Sequence, residues 1–161
     1  MDYFPIFLDA KKLNTVVIGG GNVAARKIEL LLKTPASITI VSPVIKEPVA
    51  KLIQTHNLNY LAEAYNKSHL SDKQLVIAAT NLKDINKQIA KHATAKGMLL
   101  NVVDDPELCN YITPAIIDRS PMLVALSSSG SAPILLQMLK RKIEINLPEN
   151  YGKLAEFCGK Y

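Results

Sequence analysis

The stretch that decides the fold is residues 15–32, TVVIGGGNVAARKIELLL. A β-branched apolar run leads into three glycines, and apolar residues then recur at helical spacing. This order predicts a strand, a tight turn and a helix. Gly19, Gly21 and Ala24 fill the G-x-G-x-x-A pattern that is typical of dinucleotide-binding turns. The predicted helix presents its N-terminal N–H groups to a pyrophosphate.

Each small residue of this turn has a physical role. Gly19 permits the tight turn, and Gly21 has no Cβ, so a phosphate can approach the backbone. Ala24 allows the helix to pack close to the strand. The alternative hypothesis is a glycine turn that binds no nucleotide.

Strand-like and helical patterns alternate through residue 103. Alternation of this kind predicts a parallel, Rossmann-like α/β sheet with right-handed crossovers. The predicted strands are residues 15–18, 37–41, 59–61, 74–79 and 98–103, and the later predicted helices are residues 45–55 and 82–96.

The pattern changes after Asp105. Two β-branched runs, at 111–118 and 122–127, predict an antiparallel hairpin, and helices are predicted over 132–145 and 149–161. The predicted regions are a Rossmann-like domain over 1–112, a small α+β segment over 113–146 and the start of a helical C-terminal region over 147–161.

A serine-rich loop, SSSGS at 127–131, precedes the helix predicted after the hairpin. We expect Ser129 or Ser131 to cap that helix. The alternative is that the hydroxyl and N–H groups of the loop bind a carboxylate. The basic triplet at 140–142 is expected to complement the dipole at the end of the helix.

The chain has 161 residues, a net charge of +5 and a pI of about 9.2. A solvated basic surface is the commonest explanation of such a charge, and an anionic partner, either a nucleic acid or a small molecule with several carboxylates, is the alternative. The basic residues are dispersed, so we expect no nucleic acid partner. No apolar run approaches the ~20 residues that span a bilayer, so we expect no membrane association and a cytoplasmic location.

The cysteines and histidines form no metal-binding pattern. Cys109 and Cys158 lack the spacing of metal ligands, and we expect both to be reduced, inert thiols. His56, His69 and His92 are dispersed along the chain. We therefore expect surface or structural histidines and no metal ligand.

Polar residues follow the predicted strands at the edge where parallel sheets bind ligands. Asp104 and Asp105 come after the last strand, where a carboxylate can accept a proton in a dehydrogenation or hold a metal ion. A turn or capping role is the alternative. Ser42 ends the second strand, where the fingerprint usually has an acid for the ribose, so the residues leave NAD and NADP open.

Six motifs, in order along the chain, resemble those of one known family. They are DYFPIF (2–7), GGGNVAARK (19–27), AATN (78–81), NVVDD (101–105), PAIIDRSP (114–121) and SSSGSAP (127–133). The family is the precorrin-2 dehydrogenase module of sirohaem synthase, and the resemblance runs nearly from end to end.

The resemblance implies NAD-dependent oxidation of precorrin-2 to sirohydrochlorin, with NAD as cofactor and a tetrapyrrole as substrate. Many members also insert ferrous iron to give sirohaem, so ferrous iron is a further substrate to test. The family also implies a homodimer, with residues 113–146 as the dimerisation region. Its helical C-terminal region is longer than residues 147–161, which leaves iron insertion open.

The matching motifs also imply site residues. Asp104 corresponds to the carboxylate that serves as general base and assists iron insertion. Ser128 matches a serine of the tetrapyrrole pocket that is phosphorylated in some members. Apart from the resemblance, positive charge makes Arg119, Lys140, Arg141 and Lys142 candidates for propionate contacts, with surface solubility as the stronger alternative for each. The expected cofactor-binding residues are Gly19, Gly21, Asn22, Val23, Pro43, Val44, Thr80 and Asn101.

Two rival functions come from other features of the sequence. A non-catalytic NAD-sensing regulatory module is favoured by the missing acid at Ser42 and by the short chain. A nucleic-acid-binding protein is favoured by the net charge alone.

Overall fold

A computed structural model describes residues 1–159 of the chain. The chain divides into two units, one formed by Pro5–Tyr111 and the other by Met1–Phe4 with the chain from Ile112 onward. None of the helices within the described residues is long and apolar enough to cross a lipid bilayer.

The first unit is a five-stranded sheet in the order β3-β2-β1-β4-β5, with every neighbouring pair parallel. The predicted Rossmann-like α/β fold is confirmed. The strands are β1 Asn14–Ile18, β2 Ser37–Val41, β3 Asn59–Leu61, β4 Leu75–Ala78 and β5 Leu99–Val102, and the helices are α1 Asn22–Leu31, α2 Glu47–His56 and α3 Lys83–Ala95.

Both faces of this sheet are covered, because alternate strand residues point to opposite sides. Val16 and Ile18 of β1 pack in the apolar cluster that includes Ile89 of α3. Val17 packs in a second cluster with Ile28 of α1. All of these side chains are at most 2% exposed. Burial on both faces explains why the strands appear in the sequence as continuous apolar runs.

Three short 3₁₀ helices lie in the connections of the first unit, within the described part of the chain. The first, Ala10–Lys12, occupies the polar segment before β1. The second, Lys67–Leu70, precedes β4, and the third, Pro106–Leu108, follows β5. The third shapes the segment that returns alongside β5.

The second unit contains an antiparallel hairpin and two helices. Strands β6 Ala115–Arg119 and β7 Met122–Leu126 form the hairpin that the β-branched runs predict. Helices α4 Pro133–Asn146 and α5 Asn150–Cys158 both contact it. Gly152 of α5 lies so close to the hairpin that a Cβ there would come within 2.5 Å of Ser120 O. The hairpin and helices therefore pack as one layered unit.

Two expectations about α4 are wrong. Its N-cap is Ala132, and no side chain caps it at that position, so neither Ser129 nor Ser131 serves as the cap. Instead, the Ser128 hydroxyl accepts a hydrogen bond from Ala132 N–H (3.2 Å). The basic triplet at 140–142 lies before the last helical turn, which holds no basic residue. Residues 160–161 of the last predicted helix lie outside the described residues.

Candidate nucleotide-binding and catalytic site

Four strands of the parallel sheet end side by side at one edge. Hydrogen bonding continues just past the strand ends, so the following turns are held in register. The glycine turn follows β1, and the turn that contains Asp104 follows β5. The hydrogen bonds past the strand ends join Gly19 N–H to Val41 O (2.9 Å), Ala79 N–H to Ile18 O (2.8 Å) and Val103 N–H to Ala78 O (2.9 Å).

The first two glycines of the turn are packed against backbone. Gly19 has a φ of 129°, and a Cβ there would lie 2.2 Å from Ala79 O. A Cβ on Gly20 would lie 2.3 Å from Val44 O. Neither position can accept a larger residue without movement of the main chain. The fingerprint leaves Gly20 unspecified, so its requirement for glycine emerges only from this contact.

The third glycine is open. Gly21 is the N-cap of α1 with a φ of −91°, and a Cβ there would meet nothing within 4 Å. No side chain of the described residues caps this helix, so its first N–H groups remain available. Asn22 and Val23 are exposed beside them. Open space beside free N–H groups at a helix N-terminus fits the pyrophosphate of a dinucleotide.

We expect Gly21→Ala to weaken dinucleotide binding without unfolding the protein. The φ of Gly21 suits alanine, and the new methyl group would occupy the open space where a phosphate is expected. Isothermal titration with NAD⁺ should show an affinity about 10-fold lower or worse, which is ~1.4 kcal/mol of binding free energy. An unchanged affinity would contradict a phosphate site at this turn, provided that the melting temperature is also unchanged.

The loop after β2 is held against the glycine turn. The Ser42 hydroxyl donates to Val44 O (2.7 Å), and Lys46 N–H donates to Gly20 O (2.8 Å). Ser42 is buried and its hydroxyl is engaged within the loop, whereas Pro43 and Val44 are exposed. Ser42 thus shapes the loop that presents these two residues.

The loop after β4 is held by a side-chain pair. The Thr80 hydroxyl donates to the Asn86 side-chain oxygen (2.7 Å), and the Asn86 amide donates to Thr80 O (3.0 Å). Asn86 is buried in the first part of α3 and joins that helix to the loop. The pattern of the sequence does not single out Asn86, since its partner is on the preceding loop.

Asp104 stands in the turn after β5. Its φ of 60° is in the left-handed region, and Asp105 N–H closes the turn by donating to Val102 O (3.4 Å). Such positions favour glycine, asparagine or aspartate, so this turn accommodates Asp104 with little strain. Asp104 is exposed, and its carboxylate has no hydrogen-bond or ion-pair partner within residues 1–159. It is free to accept a proton from a ligand.

The side chain of Asn101, unlike that of Asp104, has a partner within the first unit. Its side-chain amide points at the Cys109 sulfur (3.6 Å), near the free edge of β5. Burial lowers the pKa of half-buried Lys27 of α1. The nearby Cys109 sulfur acts in the opposite direction and offsets part of this effect. Burial also raises the pKa of Tyr111. Cys109 and Tyr111 each pack against a buried apolar cluster of the first unit, to which this segment belongs.

The two expected substrate residues of the second unit make internal contacts there. Ser128 is half-buried and accepts from the start of α4. The Arg119 guanidinium donates to Leu147 O (2.8 Å) and to Asp118 O (2.8 Å), so it joins β6 to the end of α4. The sequence shows the charge of Arg119 but not these carbonyl partners.

Two histidines have structural contacts in the first unit. Buried His69 is hydrogen-bonded to the Glu63 carboxylate (2.7 Å), and His92 is hydrogen-bonded to the Tyr65 hydroxyl (2.9 Å). Burial raises the pKa of Tyr65 to about 12. No group of three or more His, Cys, Asp or Glu side chains among residues 1–159 is arranged to hold a metal ion.

Comparison with known proteins agrees with this geometry. The chain is 44% identical over its whole length to the siroheme synthase of Nitrosomonas europaea and 46% identical to that of Pseudoalteromonas atlantica. It spans about a third of the length of these relatives, 34% and 35% respectively. The solved structure of SirC, precorrin-2 dehydrogenase, matches with a TM-score of 0.84 and 25% identity, covering 98% of this chain and 78% of that one.

The resemblance that the six motifs indicate is therefore confirmed. Residues 6–115 also match the family model NAD_binding_7, described as "Putative NAD(P)-binding". That match contains the glycine turn, the loops after β2 and β4, and Asp104. The chain belongs to this NAD(P)-binding family.

Proposed function

We propose that this chain catalyses the NAD-dependent oxidation of precorrin-2 to sirohydrochlorin, with Asp104 as general base. The observation that carries the proposal is the placement of two features at one sheet edge. An open glycine turn follows β1, and an unpartnered carboxylate follows β5. The similarity to siroheme synthases and to a precorrin-2 dehydrogenase supports this choice of substrate.

The spacing of the strands suits a cofactor and a macrocycle. Only β4 lies between β1 and β5, so their ends are two strand spacings apart, about 10 Å. A substrate bound at this edge would then lie near both the Asp104 carboxylate and a cofactor held at the glycine turn. Proximity of this kind lowers the entropic part of the barrier.

The oxidation removes two hydrogens from the macrocycle. Bound NAD⁺ would supply the acceptor for one of them, which leaves the macrocycle as a hydride. The Asp104 carboxylate accepts the other as a proton and afterwards releases it to water. The N–H groups at the start of α1 would hold the pyrophosphate and so position the cofactor.

Charge favours this substrate. The chain carries a net charge of +5, and precorrin-2 bears several carboxylates. A basic protein attracts such a polyanion and accelerates its association, an effect that salt weakens.

The direct test is turnover. The purified chain, incubated with precorrin-2 and NAD⁺, should produce NADH and the absorption spectrum of sirohydrochlorin. A parallel incubation with NADP⁺ in place of NAD⁺ tests the choice of cofactor. Binding of NAD⁺ without NADH formation would contradict the proposal and favour a nucleotide-sensing module. Ferrous iron added after oxidation tests whether the same chain forms sirohaem.

We also propose that two copies associate through the second unit. Helix α4 has no buried residue, although its sequence is rich in large apolar side chains. Its half-buried residues include Leu136 and Ile143, and an apolar face on the other side is open to solvent. A helix with such a face is stable when a partner covers it. The exposed apolar residues are Ile134, Leu135, Met138, Leu139 and Ile145.

We expect Leu135→Glu to convert this dimer into a monomer. The side chain is 65% exposed in the single chain, so a carboxylate is tolerated there, whereas a covered interface would have to desolvate it. Sedimentation velocity should show the wild type as a dimer and the variant as a monomer. Gln137→Glu, at an exposed polar position of the same helix, is the matched control and should remain dimeric. A monomeric wild type would contradict the association.

A further inference from the structure

Strand β5 lies at the edge of the sheet, with β4 on one side only. An edge strand has backbone N–H and C=O groups that no neighbouring strand can pair. Asn110 pairs two of these groups, both on Leu100, and also the C=O of Met98 directly before the strand. Its N–H donates to Leu100 O (3.1 Å), its side-chain oxygen accepts from Leu100 N–H (2.7 Å), and its side-chain amide donates to Met98 O (2.7 Å). The middle of the strand is therefore held without a sixth strand.

Cys109 does the same at the end of β5. Its sulfur accepts a hydrogen bond from Val102 N–H (3.1 Å). Its thiol lies 3.3 Å from both Val102 O and Asp105 O, so it can donate to either carbonyl. We call Cys109 and Asn110 the β5 clamp.

The clamp closes the turn that carries Asp104. Val102 and Asp105 are the first and last residues of that turn, and Cys109 contacts the backbone of both. The turn's own hydrogen bond, from Asp105 N–H to Val102 O, is long at 3.4 Å. Asp104 meanwhile has a left-handed φ of 60° and no internal side-chain partner. The Cys109 sulfur is thus a second link between the two ends of the turn.

We propose that Cys109 is a positioning residue for Asp104. It touches neither cofactor nor substrate in this role; it fixes the backbone from which the carboxylate projects. The inference rests on the proposed function, because it matters to turnover only if Asp104 is the base. A base that is displaced by a fraction of an ångström loses rate while the binding of the cofactor is kept.

The test compares three variants of the full chain. Cys109→Val keeps the approximate volume and suits the extended backbone there (φ −86°, ψ 143°), but it removes the sulfur contacts. Its kcat for precorrin-2 oxidation should fall about 10-fold or more, while the KM for NAD⁺ changes by less than about twofold. Cys109→Ser keeps a donor and an acceptor and should recover part of the lost kcat. Cys158→Ala, at the exposed cysteine of α5, should match the wild type.

Amide hydrogen exchange gives a readout that does not depend on turnover. Val102 N–H should exchange faster in Cys109→Val than in the wild type, because its acceptor is gone. If the wild type turns over and Cys109→Val keeps full kcat, the positioning role is wrong while the proposed function stands. If the wild type does not turn over, the proposed function is wrong and with it the positioning role of Cys109. Unchanged exchange at Val102 would overturn the clamp itself.

Discussion

Asp104→Asn should lower kcat for precorrin-2 oxidation by about 100- to 10,000-fold, the usual contribution of a general base. Asparagine tolerates the left-handed φ of 60° as well as aspartate does, so the backbone of the turn is kept. The amide cannot accept the proton, although it nearly matches the carboxylate in shape. Affinity for NAD⁺ should therefore stay the same. The measurements are steady-state NADH formation and NAD⁺ titration on the same preparation.

Asp72→Asn is the matched control for this substitution. Asp72 is also exposed and also has a positive φ, 59°, but it lies in the turn before β4, at the other end of the strands. The same chemical change there should leave kcat within about twofold of the wild type. Full activity of Asp104→Asn would exclude this carboxylate as the base. A loss in both variants would point to a general effect of charge rather than to proton transfer.

Gly19→Ala should destabilise the fold by about 3 kcal/mol, among the larger effects of a single substitution. The φ of 129° is unfavourable for any residue with a Cβ, and the added carbon would lie 2.2 Å from Ala79 O. Relief requires movement of β1 away from β4, in the centre of the sheet. Chemical denaturation, with and without NAD⁺, measures the change in the free energy of unfolding.

Gly97→Ala measures the cost of backbone strain in the absence of a steric clash. Gly97 also has a positive φ, 66°, yet a Cβ there would meet nothing within 4 Å. Its cost should be only the conformational term, about 1 kcal/mol. Equal losses for the two variants would mean that contact with Ala79 contributes nothing. Gly21→Ala introduces neither backbone strain nor a steric clash, so it should keep full stability and lose only affinity for NAD⁺.

Much of the first unit follows from local patterns, because strand and helix periodicities depend on residues that are near in sequence. The predicted strand over 37–41 matches β2 in full, and the helix predicted over 82–96 contains α3. The helix predicted over 45–55 begins only at Glu47, with a proline in its first turn. Element ends are decided by such caps, which the apolar pattern does not specify.

The candidate site also contains some residues that the sequence identifies and others that only the structure explains. The small residues at Gly19 and Gly21 are recognisable since a dinucleotide turn demands them within one short stretch. Gly20 and Cys109 are not, because their reasons lie in other parts of the chain: Val44 O for Gly20, and the backbone of Val102 and Asp105 for Cys109.

By itself, the sequence determined the α/β class, the glycine turn after the first strand and the position of an aspartate after the last parallel strand. These depend on periodicity and on residue size, which act over a few neighbouring residues. Only the tertiary structure decided which backbone each glycine packs against, that Asp104 has a left-handed backbone, and which residues hold it there. Those properties depend on hydrogen bonds and close contacts between segments that come together only when the sheet has formed.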